Sequence, residues 1–305
     1  MLALVLRRVV TALPVFIGVV FAVVLIVRLT PGDPAIILLG QAASPASVAA
    51  LRNELGLDQS IPIQFVDYFG RALVGDLGRS YRSGESVVEV IKSALPYTAA
   101  LTFAGLAISL LIGVPVGIIS AFKQNSIWDH VLTGFALLGL SMPVFWIGTL
   151  MQWYFSFELR WLPTTGTGSW RHLVMPALSV GIYTAANFVR MLRATMIDIL
   201  REDFVRTLYA KGLGKAAVLF HVLRNALVPI VTSIGLQVGL LLGGSILTET
   251  VFAWPGIGLR MVQAINDRDI VLIQGLVLTT ALLFVTTNLL VDIAYLFLDP
   301  RTRRK

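Results

Sequence analysis

The chain has 305 residues, of which 56% are hydrophobic and only 13% are charged, about half the charged share of a typical soluble domain. The formal net charge of +7 fits a membrane protein whose Lys and Arg residues hold loops in the cytoplasm, and no basic stretch is interleaved with stacking aromatics as in a nucleic-acid-binding surface. The chain has no cysteine and three widely separated histidines, so we expect no disulfide, no metal centre and no nucleic-acid partner.

Long apolar runs predict an all-α, polytopic membrane protein. About 20 apolar residues of helix cross a bilayer, and about six segments reach or approach that length. The predicted spans are Val9–Leu29, Thr98–Ala121, Val131–Phe155, Leu173–Val189, Leu227–Leu247 and Val271–Phe297. The fourth is short and contains Thr184 and Asn187, and we expect its helix to continue past Arg190 and leave the bilayer. The first is too long for a signal-peptide core and lacks a cleavage site, so we expect it to be retained.

Loop charges predict the orientation of these spans. The basic residues that fall on one side are Arg7, Arg8, Lys123, Arg190, Arg193, Arg201, Arg206, Lys211, Lys215, Arg224, Arg301, Arg303, Arg304 and Lys305. The two short loops on the other side carry only Arg160, Arg171, Arg260 and Arg268. Since positive loops stay inside, both termini and the long basic loop are expected in the cytoplasm.

These features divide the chain into four regions. Residues 1–29 form an N-terminal span, 30–95 an extracytoplasmic loop or cap, 96–297 a core of five spans with a cytoplasmic loop at 198–229, and 298–305 a cytoplasmic tail. Ser44-Pro45 predicts a helix start in the cap, with Val48, Leu51 and Leu55 following on one side. Apolar residues at helical spacing predict a second cap helix over Ile61–Leu73. Such a cap either packs on the helix ends or offers a docking surface.

Small and polar residues inside the spans are candidates for packing or for a route through the membrane. Gly235, Gly239 and Gly243 lie four residues apart and stack on one helix face, which favours close helix packing and also suits a narrow pathway. Gln237 is a sparse polar group on the same span. Asp292 needs a partner in hydrocarbon, and its position near a span end fits a structural partner as well as a site.

The basic loop at 198–229 combines helix-forming residues, glycines and dense positive charge. Residues 207–212 predict a short helix that ends at Gly212, because glycine readily adopts the left-handed conformation found after a helix. Phe204, Leu208 and Leu219 are expected to present an apolar surface beside the basic groups. Such a surface suits either a soluble partner or an anionic lipid surface.

Several motifs along the chain resemble those of permease subunits of ABC importers, in the branch that handles dipeptides, oligopeptides and glutathione. The motifs are Leu29-Thr30-Pro31-Gly32-Asp33-Pro34, Leu55-Gly56-Leu57-Asp58, Gly75-Asp76-Leu77-Gly78, Arg206–Gly212 with Arg224–Pro229, Glu249–Gly256, Asp292-Ile293-Ala294-Tyr295 and Asp299-Pro300-Arg301. In order, they cover nearly the whole chain. The resemblance implies the type I importer permease fold in a bacterial inner membrane, and import of peptides.

The same resemblance implies partners and residue roles. The partners would be a second permease, two ABC ATPases, an extracytoplasmic substrate-binding protein and membrane lipid. ATP and Mg would be held by the ATPases, since this chain has no GxxxxGK[ST] loop. Residues expected to bear on the ATPase or relay its motion are Arg206, Thr207, Ala210, Lys211, Gly212, Arg224, Asn225 and Pro229. Pathway candidates are Gly235, Gln237, Gly239 and Gly243, and candidates for the outer, docking end are Phe252, Trp254 and Pro255.

Other functions remain open from the sequence. A permease of the same family could import nickel or another small solute. An ion-coupled secondary carrier would normally place ionisable residues near the bilayer midplane, where these spans have almost none. A membrane enzyme would need a nucleophile elbow or a His-Glu metal pair, and neither pattern occurs. A purely structural subunit is the last alternative.

Overall fold

The computed structural model describes residues 2–29, 34–39, 43–54, 56, 58–243 and 245–298. The motif residues Thr30 to Asp33, the predicted cap residue Leu55 and the tail from Asp299 onward lie outside these ranges. Within them the regular structure is helical, apart from a single antiparallel bridge between Arg79 and Ser86.

The helices follow one another in a simple order. Their bounds are α1 Leu2–Leu29, α2 Pro34–Leu39, α3 Pro45–Glu54, α4 Ile61–Leu73, α5 Val87–Phe122, α6 Ile127–Ser141, α7 Val144–Met151, a π-helical turn Gln152–Glu158, α8 Arg171–Leu200, α9 Asp203–Ala210, α10 Lys215–Leu242, α11 Ile246–Val251, α12 Ile257–Asn266 and α13 Ile270–Leu298. The extracytoplasmic boundary expected at residue 95 therefore falls inside α5.

Four helices among the described residues are long and apolar enough to cross a membrane: α5, α8, α10 and α13. The bent pair formed by α6 and the segment Val144–Glu158 would make a fifth span. In α1 the described apolar stretch is Pro14–Leu25, which is shorter than the four long spans. The helix of the fourth predicted span does continue past Arg190, to Leu200. The fifth predicted span is shifted, since its helix begins at Lys215 and ends at Leu242.

A stripe of small residues joins α5 to α8. Gly105 lies against Val180, Gly113 against Phe188 and Gly117 against Leu192, with 2.9–3.0 Å between an added Cβ and the nearest side-chain atom. Spacings of eight and four residues place these glycines on one face and let the two backbones approach closely. Because the residue numbers rise together along the contact, α5 and α8 run parallel.

The parallel packing of α5 and α8 decides how the intervening segment crosses. The third predicted span, Val131–Phe155, is wrong as a single helix, because the chain bends by 96° between Ser141 and Val144. Pro143 causes the break, since proline pushes the preceding Met142 into an extended conformation. Because α5 and α8 are parallel, the chain between them must cross the membrane once. The segment from Ile127 to Glu158 is therefore one broken span.

The second half of the core is an antiparallel pair. Gly235 of α10 meets Val291 of α13, and Gly239 meets Phe284, so the residue numbers run in opposite directions. α11 and α12 lie between these two helices in sequence. α12 packs against α5 and α13, and α11 packs against α12, α7 and α8. The ends of α5 and α8, with α9 and the start of α10, share one apolar cluster. We call this end of the molecule the α9 end.

The cap contains the two helices predicted for it. α3 begins at Pro45, with the Ser44 hydroxyl accepting the Ser47 N–H, and α4 covers Ile61–Leu73. α4 packs along α1 through Phe65, Tyr68 and Phe69, and Phe16 of α1 contacts Phe69. The cap is therefore anchored along the side of α1 as well as near its end.

Candidate functional site

A cavity of about 810 Å³ opens between α8 and α10 and is closed at one end by α11. Its lining comes from the facing sides of these helices and one residue of α7. The lining residues are Val144, Val180, Tyr183, Thr184, Asn187, Met191, Pro229, Thr232, Ser233, Leu236, Gln237, Leu240, Leu241, Ser245, Ile246, Leu247 and Thr248. Their spacing along α8 and α10 follows the helical repeat, so one face of each helix forms each wall.

The lining of this cavity is mostly apolar, and its few polar groups are uncharged. Among the residues that the structure describes there, the polar groups are hydroxyls and carboxamides only. Two of their atoms, Gln237 Oε1 and Ser245 Oγ, are buried without a hydrogen-bond partner in the part of the chain that the structure describes. Buried polar atoms normally have partners, so these atoms mark places for water or a ligand. No group of three or more metal-binding side chains occurs in the described ranges.

The structure separates the predicted pathway residues. Gln237 lies in the cavity wall, whereas Gly235 and Gly239 are buried against α13. An added Cβ on Gly235 would lie 1.9 Å from Val291 Cγ2, and one on Gly239 would lie 3.0 Å from Phe284. Gly239 and Gly243 also border a second, apolar cavity of about 490 Å³ between α1, α10 and α13. The glycine stripe therefore serves close packing of α10 on α13.

The short helix predicted in the basic loop is α9, and Gly212 follows its end. Gly212 has φ +79°, its N–H donates to Tyr209 O at 2.9 Å, and the Leu213 N–H donates to Leu208 O at 3.2 Å. These two bonds form a Schellman motif, which satisfies carbonyls that a helix end leaves open. Glycine is favoured there because a side chain is strained at positive φ.

The apolar surface expected on this loop faces inward. Phe204, Leu208 and Leu219 pack against the cluster formed by the ends of α5 and α8 and the start of α10, and Val205 is buried within it. The expectation of an exposed apolar surface at these residues is wrong, because the amphipathic α9 uses its apolar face to attach to the bundle. Exposed aromatic groups at this end are Tyr209 and Phe220 instead.

The outward face of α9 carries the residues expected to contact an ATPase. Arg206, Thr207, Ala210, Lys211 and Gly212 are all exposed, and so are Arg224 and Asn225 on the first turns of α10. Pro229 is half-buried further along α10, where it lines the cavity. One continuous helix thus runs from the α9 end into the cavity wall.

Two of the three residues expected at the outer end have buried side chains. Phe252 is buried against Gly148, where an added Cβ would lie 2.9 Å from Phe252 Cε2. Trp254 is also buried, and its indole N–H donates to Tyr97 O at 2.8 Å. Pro255 is half-buried. Docking by a partner here would use exposed neighbours of these residues and not the two aromatic side chains.

A buried carboxylate beside these aromatics was not singled out by the sequence analysis. Glu249 is fully buried and accepts hydrogen bonds from the Thr98 hydroxyl at 2.8 Å and the Leu259 N–H at 3.0 Å. Thr98 in turn accepts the Ile257 N–H at 2.8 Å. Gly256 leaves no room for a side chain, since an added Cβ would lie 2.5 Å from the Glu249 carboxylate. This network fixes α11 and α12 to α5, and burial raises the pKa of Glu249.

A partly buried ion pair near the α9 end was also not indicated by the sequence. Arg193 of α8 binds Asp129 of α6 through both carboxylate oxygens, at 2.7 and 2.6 Å, and the Asn125 N–H donates to the same carboxylate at 2.9 Å. In the sequence, Arg193 serves only as one of the basic residues that predict the orientation of the spans. Because its partner lies 64 residues away in sequence, no local pattern indicates the pair.

Two family models match the chain. Residues 113–304 match the binding-protein-dependent transport system inner membrane component, and residues 1–102 match the N-terminal region of binding-protein-dependent transport system membrane components. Together these matches cover nearly all of the described helices.

Curated relatives are similar over their whole length. The chain is 41% identical to the dipeptide transport system permease protein DppB of Alkalihalophilus pseudofirmus, covering 99% of this chain and 100% of the relative. It is 41% identical to the glutathione transport system permease protein GsiC of Salmonella choleraesuis, covering 100% of both chains. It is 38% identical to the di/tripeptide transport system permease protein DppB of Pseudomonas aeruginosa, again covering 100% of both.

A solved structure shares the fold at low identity. The MetNI methionine ABC transporter, in inward-facing conformations, matches with a TM-score of 0.59 and 16% identity over 70% of this chain and 97% of the other. This likeness supports the helical arrangement described above and says nothing about substrate.

Proposed function

Because the chain belongs to the binding-protein-dependent transport system inner membrane component family and is a multi-pass permease subunit of an ABC importer of the peptide type, we propose that it forms half of a translocation pathway for dipeptides, oligopeptides or glutathione. As a transport component it leaves ATP hydrolysis to separate subunits. The uncharged cavity between α8 and α10 would be this chain's share of the route.

One observation carries the proposal: the two helices that line the cavity also hold α9. α8 ends at Leu200 just before α9, and α10 starts at Lys215 just after it. Val205 of α9 is buried in a cluster with side chains of both helices. A displacement of α9 would therefore move both cavity walls, which suits alternating access driven by differential binding of ATP to two states.

We assign the exposed face of α9 to contact with an ABC ATPase. Arg206, Thr207, Ala210, Lys211 and Gly212 would meet the ATPase, while Arg224, Asn225 and Pro229 would relay motion along α10 into the cavity wall. The Schellman motif at Gly212 supports this role, because it fixes the end of α9 without using its outward face.

Further partners would complete the transporter. Leu236, Leu240 and Leu247 line the cavity yet remain exposed, which supports a second permease of similar fold covering the open side. Two ATPases, holding ATP and Mg, and an extracytoplasmic substrate-binding protein would supply energy and substrate. Exposed apolar side chains on α1, α6 and α13 suit contact with membrane lipid.

The proposed location is a bacterial inner membrane with both termini in the cytoplasm. In the segments that connect the long helices from α5 onward, most exposed Arg and Lys residues lie at the α9 end, which fits the side on which short positive loops remain. Reporter fusions at Gly75 and Gly212 test this topology, and a cytoplasmic signal at Gly75 would contradict it.

The coupling role is tested by Gly212→Pro in the reconstituted transporter. Proline cannot adopt the φ of +79° and removes the N–H that bonds Tyr209 O, so the end of α9 must rearrange. We expect binding-protein-stimulated ATP hydrolysis and peptide uptake to fall by about tenfold or more while assembly in the membrane persists, since a misplacement of about 1 Å at a functional contact can cost this much.

Gly214→Ala is the matched control, because Gly214 is exposed in the same turn, has negative φ and has open space around its Cβ position. It should retain uptake. Normal uptake by Gly212→Pro at normal abundance would refute the coupling role of α9.

A further inference from the structure

We propose that Gln237, Ser245 and Asn187 form a hydrogen-bonding site for the peptide groups of a substrate in transit, and that this half of the pathway does not select substrates by charge. The proposal rests on the pathway role proposed above and adds to it the chemistry that the cavity recognises. It places specificity for side-chain charge outside the described lining of this cavity.

Gln237 and Ser245 carry the first part of the argument. Both side chains line the cavity, and both have a buried oxygen atom that no group among the described residues satisfies. Leaving such an atom without a partner is unfavourable, so it is expected to bind water or a ligand donor. A peptide N–H is such a donor, and it is present in every peptide whatever its side chains.

Asn187 supplies a complementary group from the opposite wall. Its Nδ2 donates only a long bond of 3.5 Å to Tyr183 O within α8, and the side chain is half-buried in the cavity lining. A carboxamide carries two N–H donors and one carbonyl oxygen. Asn187 can therefore donate to a peptide carbonyl and accept from a peptide N–H across the cavity from Gln237.

The described lining residues carry no charge, which supports the second statement, that this half of the pathway does not select substrates by charge. A fixed charge would hold an oppositely charged peptide and repel a like-charged one, whereas a solute that must leave the pathway needs weak contacts. Neutral hydroxyls and carboxamides provide such weak contacts. They are expected to bind zwitterionic, anionic and cationic peptides with similar affinity. Glutathione and simple dipeptides differ in charge and share the peptide group.

The test is uptake by the complete transporter in proteoliposomes, with Ala-Ala, Ala-Lys and Ala-Glu as labelled probes and one binding protein throughout. Gln237→Glu is nearly isosteric and adds a carboxylate to the wall. At about 5 Å and an effective dielectric constant of about 40, such a charge changes occupancy by an oppositely charged group on the order of tenfold. We expect the Ala-Lys to Ala-Glu uptake ratio to rise by roughly that factor as the pH is raised through ionisation of the new carboxyl.

Two further variants make the result decisive. Gln237→Leu should lower uptake of all three probes by a similar factor, since it removes a contact to the shared peptide group. Gln263→Glu adds the same charge at an exposed position on α12, outside the cavity, and should leave the ratio unchanged. If Gln237→Glu fails to assemble, Asn187→Asp serves the same purpose on α8.

Each outcome points one way. An unchanged charge ratio in an active Gln237→Glu or Asn187→Asp transporter overturns the inference while leaving the proposed function intact. Failure of the wild-type transporter to take up Ala-Ala, despite binding-protein-stimulated ATP hydrolysis, would count against peptide transport itself.

Discussion

Asp129 and Arg193 join the start of the broken span to α8 through a bidentate ion pair whose carboxylate is almost fully buried. The carboxylate also accepts the Asn125 N–H and the Thr133 hydroxyl, so both of its oxygens are satisfied from within the chain. On α8, Arg193 lies between the cavity residue Asn187 and the helix end at Leu200. The pair therefore ties α6 to the helix that leads into α9.

Removing one partner of this pair should destabilise the protein. Asp129→Asn leaves the Arg193 guanidinium without its counter-charge. Because the Arg193 side chain is 26% exposed, solvent screens part of this loss, and we expect a cost between that of a surface pair and that of a buried pair, about 1–3 kcal/mol. We expect a clear fall in the midpoint of thermal unfolding of the purified transporter in nanodiscs. Arg71→Gln is the control, because Arg71 pairs with Asp67 within α4 and both side chains are exposed.

The double variant Asp129→Leu with Arg193→Met separates charge from shape. Replacing both ions by apolar groups avoids a buried unpaired charge, so it should recover part of the stability that Asp129→Asn loses. Equal unfolding midpoints for Asp129→Asn and the wild type would show that the pair contributes no stability.

Close packing of α10 on α13 predicts a graded effect of side-chain size at Gly235. Gly235→Ala places a methyl group 1.9 Å from Val291 Cγ2, so the helices must move apart or Val291 must change rotamer, at a cost of about 1–3 kcal/mol. Thermal unfolding should show this loss. Gly134→Ala, on α6, has open space at its Cβ position and should be neutral or slightly stabilising.

Val291→Ala should rescue Gly235→Ala, because it removes the methyl groups that the new Cβ meets. The two substitutions together are expected to cost less than the sum of each alone, and the double-mutant cycle measures the difference. Strict additivity would show that Gly235 and Val291 do not constrain each other.

Hydropathy predicted the long helices well because a span needs about 20 apolar residues, which few other structures contain. It missed the break at Met142-Pro143 because apolar residues flank it on both sides. Hydropathy also gave no sign of the α5 stripe at Gly105, Gly113 and Gly117, although their spacing by eight and four residues is visible in the sequence. A comparable glycine stripe, at Gly235, Gly239 and Gly243 of the fifth predicted span, was the only one that the sequence analysis identified.

Some site residues could be predicted from local sequence, and others could not because their contacts depend on the fold. The position of Gly212 after a short helix follows from local chemistry, and the sequence was sufficient for it. The direction in which Phe204 and Leu208 point depends on where α9 lies against α8 and α10, which no local pattern contains. The Thr98–Glu249 bond joins residues 151 positions apart, so only the fold reveals it.

The buried carboxyl of Glu249 predicts a pH dependence of stability. Burial raises its pKa in the folded protein above the value of about 4.3 for an unfolded chain. A raised folded-state pKa means that the folded protein holds the proton more tightly, so this contribution is complete below about 4.3 and is lost as pH rises through the raised value. Wild-type stability should therefore decline across this window relative to Glu249→Gln, which cannot titrate.

Thermal unfolding of the two proteins over a pH series measures the decline. The difference between them should shift in favour of Glu249→Gln as pH rises, while Glu158→Gln, at an exposed carboxyl on the π-helical turn, should follow the wild type. Gly258→Ala tests the same network by shape, since its Cβ would lie 2.8 Å from the Ile246 backbone and would push α12 from α11. Parallel curves for wild type and Glu249→Gln would mean that this carboxyl keeps one protonation state throughout and does not link folding to pH.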